Sequence, residues 1–230
     1  KGGGHGDYRL ITLAPASVQE MADFVGLGFE LAFKYNNPAI ILADGVIGQM
    51  MEKVVLPPFQ KRRTEEEIRK NCPWAALGKT ADRKRNVITS LELDPAVMEE
   101  NNIRFQKKYK IIEKEEVRYE EINCEDADYL IVAFGSMARI CQKTIEMAQE
   151  QGIKIGLLRP ITLWPFPSQA IAAYTDKIKG IISVELNAGQ MVEDVRLAVN
   201  GKVKVEHFGR LGGIVPTPDE VLSAIKEKLM

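Results

Sequence analysis

Few side chains in this sequence are grouped as chemistry requires, and most that are lie beside glycine. The chain opens with Gly2-Gly3-Gly4-His5-Gly6-Asp7. Glycine lets a backbone approach a ligand closely and take positive φ, and His5 and Asp7 there could exchange a proton. The Lys-Ser/Thr of a phosphate-binding loop is missing, so a flexible loop or frayed terminus is the plainer reading. A second group is Phe134-Gly135-Ser136-Met137. A strand-to-helix turn of small residues bares amides at a helix N-terminus and invites an anion, although turn geometry explains Gly135 and Ser136 equally well. A third group, Glu185-Leu186-Asn187-Ala188-Gly189-Gln190, falls at the carboxyl end of a strand, where open α/β sheets carry functional groups. Asn187 and Gly189 are also ordinary turn residues, which is the plainer reading. His5 and Asp7 are therefore the catalytic candidates, and Gly135, Ser136, Glu185 and Asn187 the cofactor-binding ones.

Other residues are set aside. His207, beside Phe208, reads as a packed histidine. Cys72, Cys124 and Cys141 are scattered and odd in number, which suits neither a disulfide framework nor a metal site. Nucleophile elbow, HExxH, CxxC and paired-carboxylate motifs are absent. Taken alone, these residues declare no reaction.

The 230 residues include 31 Lys+Arg and 32 Asp+Glu, giving a net charge of -1. Nucleic-acid and membrane-surface binders are strongly basic, so both classes are disfavoured. With 45% hydrophobic residues the composition is that of a globular protein, and no apolar run approaches the ~20 residues of a membrane span. A reducing cytoplasm follows from the cysteine usage. The absence of Met at the start argues against a native N-terminus.

Two α/β blocks must position the candidates. Arg9–Ala14 reads as a buried strand, and Ser17 with Glu20 as a capping box. Met21, Val25, Phe29 and Ala32 repeat at helical spacing, predicting a helix over 18–35 packed on a sheet. Ala39–Ala43 reads as a second buried strand ending at Asp44-Gly45, which completes a βαβ unit. From Val54 to about Asp126 the chain is polar and irregular. Only 95–119 looks helical, and the charge runs at 61–69 and 113–121 read as solvated faces. Strands are expected at 129–134, 154–158, 180–185 and 203–206, with helices at 137–150, 168–175 and 190–199 between them. A final helix is expected behind the Thr217–Glu220 box.

Taken together, Lys1-Gly-Gly-Gly-His-Gly-Asp-Tyr-Arg9, Ala14-Pro-Ala-Ser-Val-Gln-Glu20 and Ile41-Leu-Ala-Asp-Gly45 with Gly48-Gln49-Met50 resemble the alpha-type subunit of 2-oxoacid:ferredoxin oxidoreductases. So do Gly135–Arg139, Gly156–Phe166 and Val184–Met191, and the branched-chain (2-oxoisovalerate) type is the most similar. The resemblance implies a remnant of a pyrimidine-type thiamine diphosphate domain at 1–55, a connector with a long surface helix at 56–126 and a transketolase C-terminal-like α/β domain at 127–230. It implies oxidative decarboxylation of a 2-oxoacid with coenzyme A, giving acyl-CoA, CO2 and reduced ferredoxin. Thiamine diphosphate and Mg would be held by a partner subunit and iron–sulfur clusters by a ferredoxin-like one. A gamma-type subunit and ferredoxin would complete an oligomeric, cytoplasmic assembly of anaerobic metabolism, with no nucleic-acid or membrane partner.

The family's Tyr-Pro-Ile-Thr-Pro-type stretch, its activating Glu and its Arg-Gly-Gly-Pro-type stretch do not occur here. No catalytic residue carries over, and the chain alone is expected to be inactive. A sheet lacking its first strands exposes apolar edges, so residues 1–55 are expected to dock on the second domain or pair with another copy, unless upstream residues cover them. A transketolase-like or 2-oxoacid dehydrogenase beta-type subunit is the alternative enzyme, and a subunit-contact scaffold the non-enzymatic one.

Overall fold

Pro15 ends the first strand, β1 (Ile11–Leu13), and Ser17 starts the first helix, α1 (Val18–Tyr35). In the computed structural model, which describes residues 2–4, 6–59, 61–82 and 84–230, the Ser17 hydroxyl accepts the Glu20 amide. The Glu20 carboxylate reaches past Ser17 to accept the Ala16 amide at 2.7 Å. Asn36, at φ 45°, closes the helix in the left-handed conformation. The next strand, β2 (Ala39–Ile41), runs parallel to β1, so the βαβ unit forms as expected.

The helix turns a different face inward from the predicted one. Phe24, Gly28 and Leu31 are buried, whereas Val25 and Phe29 are exposed, Phe29 by 65%. Both sets recur at helical spacing, and periodicity cannot rank two apolar faces. The sheet takes the face with Gly28, where a side chain would meet Ala39 at 4.0 Å. Nor is β2 buried: Ile40 and Leu42 are exposed, because β2 lies at the edge of a sheet ordered β2-β1-β6.

The middle of the chain is more structured than its charges suggest. Two short helices, α2 (Gly45–Gln49) and α3 (Glu65–Asn71), were not anticipated; α3 begins with a Thr64/Glu67 capping box inside the first charge run. Behind Asp94, α4 (Pro95–Glu115) is more than a surface helix, since Tyr109 and Ile112 are buried and Tyr109 meets Trp164 edge-on at 5.6 Å. Met98 and Phe105, from the same predicted stripe, stay exposed. The second charge run hides a buried Glu116 and supplies a strand, β3 (Tyr119–Ile122).

The second block follows the expected alternation: β4 (Tyr129–Val132), α5 (Gly135–Glu150), β5 (Ile155–Pro160), β6 (Thr162–Trp164), α6 (Ser168–Ala172), β7 (Gly180–Glu185), α7 (Met191–Val199), β8 (Val205–Gly209) and α8 (Pro218–Leu229). Its sheet is ordered β3-β5-β4-β7-β8 and is parallel apart from β3. Helices α5 and α8 cover one face through Met137, Ile145, Val221 and Ile225, while Ile171, Met191 and Val195 of α6 and α7 pack on the other.

Strand β6 was missed because it spans three residues amid prolines and its partner is far upstream. It stands outside the five-stranded sheet and pairs antiparallel with β1. The first block thus docks on the second by strand addition, one of the expected outcomes. Ion pairs reinforce the junction. The Arg159 side chain, 7% exposed, reaches Glu20 at 2.6 Å and Glu120 at 2.9 Å, and Arg139 meets Glu52 at 2.6 Å.

Candidate functional site

In the five-stranded sheet the chain runs from β4 outward to β5 and then returns to the other side of β4 for β7. The carboxyl ends of β4 and β7 therefore flank a topological switch point, where open α/β sheets form their crevice. A crevice of about 220 Å³ lies there, lined by Phe134 and Met137 after β4, Glu185 and Asn187 after β7, and Asp44 from the first block. Larger hollows exist, of about 740 Å³ and 660 Å³. Placement, not size, makes the smaller one the candidate.

Asp44 organises this site. One carboxylate oxygen caps α2, accepting the Val46 and Ile47 amides at 3.0 Å each. The other accepts the Ser136 amide, one of the free donors in the first turn of α5, at 2.8 Å. Gly135 sits at φ 61°, and a side chain there would lie 2.6 Å from the same oxygen, so glycine is required for both conformation and clearance. The seat expected to receive a ligand anion is filled by the chain's own carboxylate. Helix-terminal amides and dipole favour any negative charge, and Asp44 supplies it from within. The Ser136 hydroxyl is buried with no hydrogen-bond partner among the described residues.

Glu185 is committed in the same internal manner. It is buried, and its carboxylate accepts the amides of Gln190, Met191 and Val192 at 3.0, 2.8 and 2.9 Å and the Ser183 hydroxyl at 2.9 Å. Burial alone would raise its pKa, but these donors outweigh it and hold the carboxyl below its ordinary value. Asn187 folds back on its own turn, its side-chain oxygen accepting the Gly189 amide at 2.8 Å. His207 of β8 lies alongside, its Nε2 3.8 Å from the Glu185 carboxylate and without a hydrogen-bond partner.

The structure thus brings Gly135, Ser136, Glu185 and Asn187 to one end of one sheet, as the strand-end reading implied, and occupies Gly135–Ser136 and Glu185 internally. Asp7 is elsewhere: it is exposed, beside Arg9, Glu99 and Lys107, and its carbonyl accepts the Gln106 amide. His5 lies outside the described residues. Sequence reasoning missed Asp44 as a site residue. The available signal was an Asp-Gly pair directly after an apolar strand, which is N-cap chemistry.

These residues were weighed against the groups such a fold could hold. Among the described residues, no three His, Cys, Asp or Glu side chains are placed to hold a metal ion. The α5 amide that would receive a phosphate already serves Asp44. The residues present therefore do not fit a metal-bound diphosphate. Cys72, Cys124 and Cys141 are separate free thiols, all buried. No helix among the described residues is long and apolar enough to cross a membrane.

Comparison with known proteins gives independent findings. Residues 5–123 match a family described as "Pyruvate flavodoxin/ferredoxin oxidoreductase, thiamine diP-bdg", and residues 127–221 match "Pyruvate:ferredoxin oxidoreductase core domain II". The ketoisovalerate oxidoreductase subunit VorB of Methanothermobacter marburgensis is 46% identical over 99% of this chain and 62% of its own length. The 2-oxoglutarate synthase subunit KorA of Methanothermobacter thermautotrophicus is 31% identical over 97% of this chain and 65% of its own. This chain therefore spans about three fifths of the length of the curated relatives it matches. In fold it resembles the 2-oxoglutarate:ferredoxin oxidoreductase of Magnetococcus marinus, with a TM-score of 0.78 at 23% identity, covering 99% of this chain and 44% of that one.

Proposed function

Because this chain belongs to the pyruvate flavodoxin/ferredoxin oxidoreductase family, we propose that it is part of a subunit of an enzyme that oxidatively decarboxylates 2-oxoisovalerate. Coenzyme A accepts the acyl group and ferredoxin the electrons. The observation that carries the substrate is the 46% identity to a ketoisovalerate oxidoreductase subunit, against 31% to a 2-oxoglutarate synthase subunit. The transketolase-like and dehydrogenase beta-type alternatives are not favoured, since both matched family descriptions are of ferredoxin or flavodoxin oxidoreductases.

Within this reading the chain divides into a pyrimidine-domain portion at 1–55, a connector at 56–126 and a transketolase C-terminal-like domain at 127–230. Thiamine diphosphate is the cofactor of the whole enzyme. Its diphosphate and Mg sit on a thiamine-diphosphate-binding partner subunit, and the iron–sulfur clusters on a ferredoxin-like one beside a gamma-type subunit. The enzyme works in the cytoplasm. This chain's own residues position and hold. Asp44 joins α2 to α5, Glu52 and Glu20 tie their arginines across the junction, and β6 extends the first sheet. Such contacts fix the angle between two domains, which an active site built at a subunit boundary needs.

The test is turnover by the assembled enzyme with thiamine diphosphate, coenzyme A and a viologen acceptor. Its kcat/KM for 2-oxoisovalerate is expected to exceed that for 2-oxoglutarate by about tenfold or more, a pocket-level discrimination. A preference for 2-oxoglutarate overturns the substrate. Failure to reduce viologen with any 2-oxoacid overturns the reaction, and turnover by this chain alone overturns its positioning role. Glu185→Gln and Asn187→Ala should lower the yield of assembled enzyme without changing turnover per complex.

A further inference from the structure

His207 is half inside the protein and half in water. Its side chain is 22% exposed, yet Nε2 is buried without a hydrogen bond among the described residues, 3.8 Å from a Glu185 carboxylate that has no exposure at all. Register explains the approach. In the parallel pair β7–β8, His207 stands beside Ser183, and residues two apart on a strand share a face. Ser183, Glu185 and His207 therefore lie together on the face that α7 covers through Met191 and Val195. Glycines bring the next turn onto the ring. A side chain on Gly189 would meet Nε2 at 3.6 Å, and one on Gly209 would strike both the imidazole and the Asn187 carbonyl. That turn, 186–190, supplies Leu186 and Asn187 to the wall of the crevice that Asp44 also lines.

At 3.8 Å a neutral ring makes no hydrogen bond to Glu185, whereas an imidazolium at that position attracts it. Histidine takes its second proton between about pH 5 and 8, and the exposed edge of the ring gives that proton a path from water. Glu185 is the only charged residue of β7. Above the ring, α7 carries Glu193 and Asp194 in its first turn, and α6 has no charged residue. On β8 itself, alternation turns Glu206 to the other face, where Lys204 meets it at 3.2 Å. Arg210, just past the strand, is held by Glu220 of α8 at 2.7 Å. Since β8 is the edge of the sheet, no further strand faces the ring.

We propose that His207 is a proton-operated latch on the turn between β7 and α7. As an imidazolium it closes onto the Glu185 carboxylate and draws 186–190 against β8; as a neutral ring it releases them. One wall of the crevice is thereby firmer in mild acid than in mild alkali. The sign follows from linkage: a histidine that gains a partner on folding adds stability that is complete below its unfolded pKa and is lost as pH rises through the folded one.

Hydrogen exchange of this chain at about pH 5.5 and pH 8, corrected for intrinsic rates, tests the latch. Amides in 186–192 should be about fivefold better protected at the lower pH, the population change a partly exposed ion pair supports. Those of β4 and β5 should not respond. His207→Gln keeps a polar side chain of similar reach without the titration, and should abolish the difference. Glu185→Gln should abolish it too; because that change also weakens the cap of α7, the readout is the ratio between the two pH values, not the protection itself. In urea, the wild type should exceed His207→Gln in midpoint at the lower pH and match it at the higher. A wild-type ratio near one, a ratio that survives either substitution, or protection that grows with pH overturns the proposal.

Discussion

At the scale of single residues, two carboxylates do at this site what a bound anion does elsewhere. Asp44 and the hydrogen at Gly135 are matched, because the glycine must adopt positive φ and leave room for the carboxylate oxygen 2.6 Å from where a side chain would begin. Gly135→Ala should therefore cost about 1–3 kcal/mol in urea unfolding. In an Asp44→Ala background the same change should cost measurably less, since only the φ strain remains; equal costs in the two backgrounds would show that the two residues do not interact. Glu185 makes a separate prediction. Its folded pKa lies below the ordinary value, so the stability it contributes is complete above the unfolded carboxyl pKa and is lost as pH falls through the folded one. Glu185→Gln should lower the urea midpoint at pH 7 and flatten its decline on acidification.

At the scale of elements, capping chemistry was more reliable than hydrophobic stripes. The Thr217–Glu220 box at α8 forms in both directions, the Thr217 hydroxyl accepting at 3.3 Å and the Glu220 carboxylate at 2.8 Å. It starts a helix that buries Val221, Leu222 and Ile225 against α5 and the sheet. Thr217→Ala should cost about 1 kcal/mol, and Thr217→Ser should restore most of it; a loss unchanged by serine would rule out the cap as its cause. The equivalent Thr64/Glu67 box on α3 caps a helix with no buried residue. Thr64→Ala there should leave the global unfolding midpoint nearly unmoved, because local fraying is not coupled to a core.

At the scale of the whole molecule, the two blocks are held by strand addition and by charges withdrawn from water. The withdrawn charge is that of Arg159; its partners Glu20 and Glu120 are 26% and 44% exposed, so removing the arginine leaves carboxylates that water still reaches. Arg159→Met should accordingly cost about 1.5 kcal/mol, the value of a charged hydrogen bond, and calorimetry should separate a single transition into two as the blocks uncouple. A single, merely lowered transition would mean that β6 alone keeps them coupled. The Glu116 cluster sets the acid limit. Burial opposes its charge, but the Lys34 ammonium at 2.8 Å, the Tyr35 hydroxyl at 2.6 Å and the Arg118 guanidinium at 2.7 Å prevail, and its pKa falls from 4.5 to about 2. A carboxylate with a depressed folded pKa stabilises above its unfolded value, and that contribution disappears as pH drops from 4.5 toward 2. Glu116→Gln should lose less stability than the wild type across that window, as measured by urea midpoints.

The sequence by itself determined the alternation of strands and helices, the caps and the class of the fold, because those depend on residues within one or two turns of each other. The bounds of α1 and β7 could be read to the residue from Ser17, Asn36, Gly180 and Glu185. It also placed Gly135, Ser136, Glu185 and Asn187 at strand ends. Only the tertiary structure decided what those residues do. Asp44 reaches α5 across 92 positions of sequence, and Arg159 reaches Glu20 across 139. The sheet, not the periodicity, chose which apolar face of α1 to bury, and β6 became a strand only because β1 offered an open edge. Contacts between distant segments depend on how whole elements pack, and no local spacing encodes them.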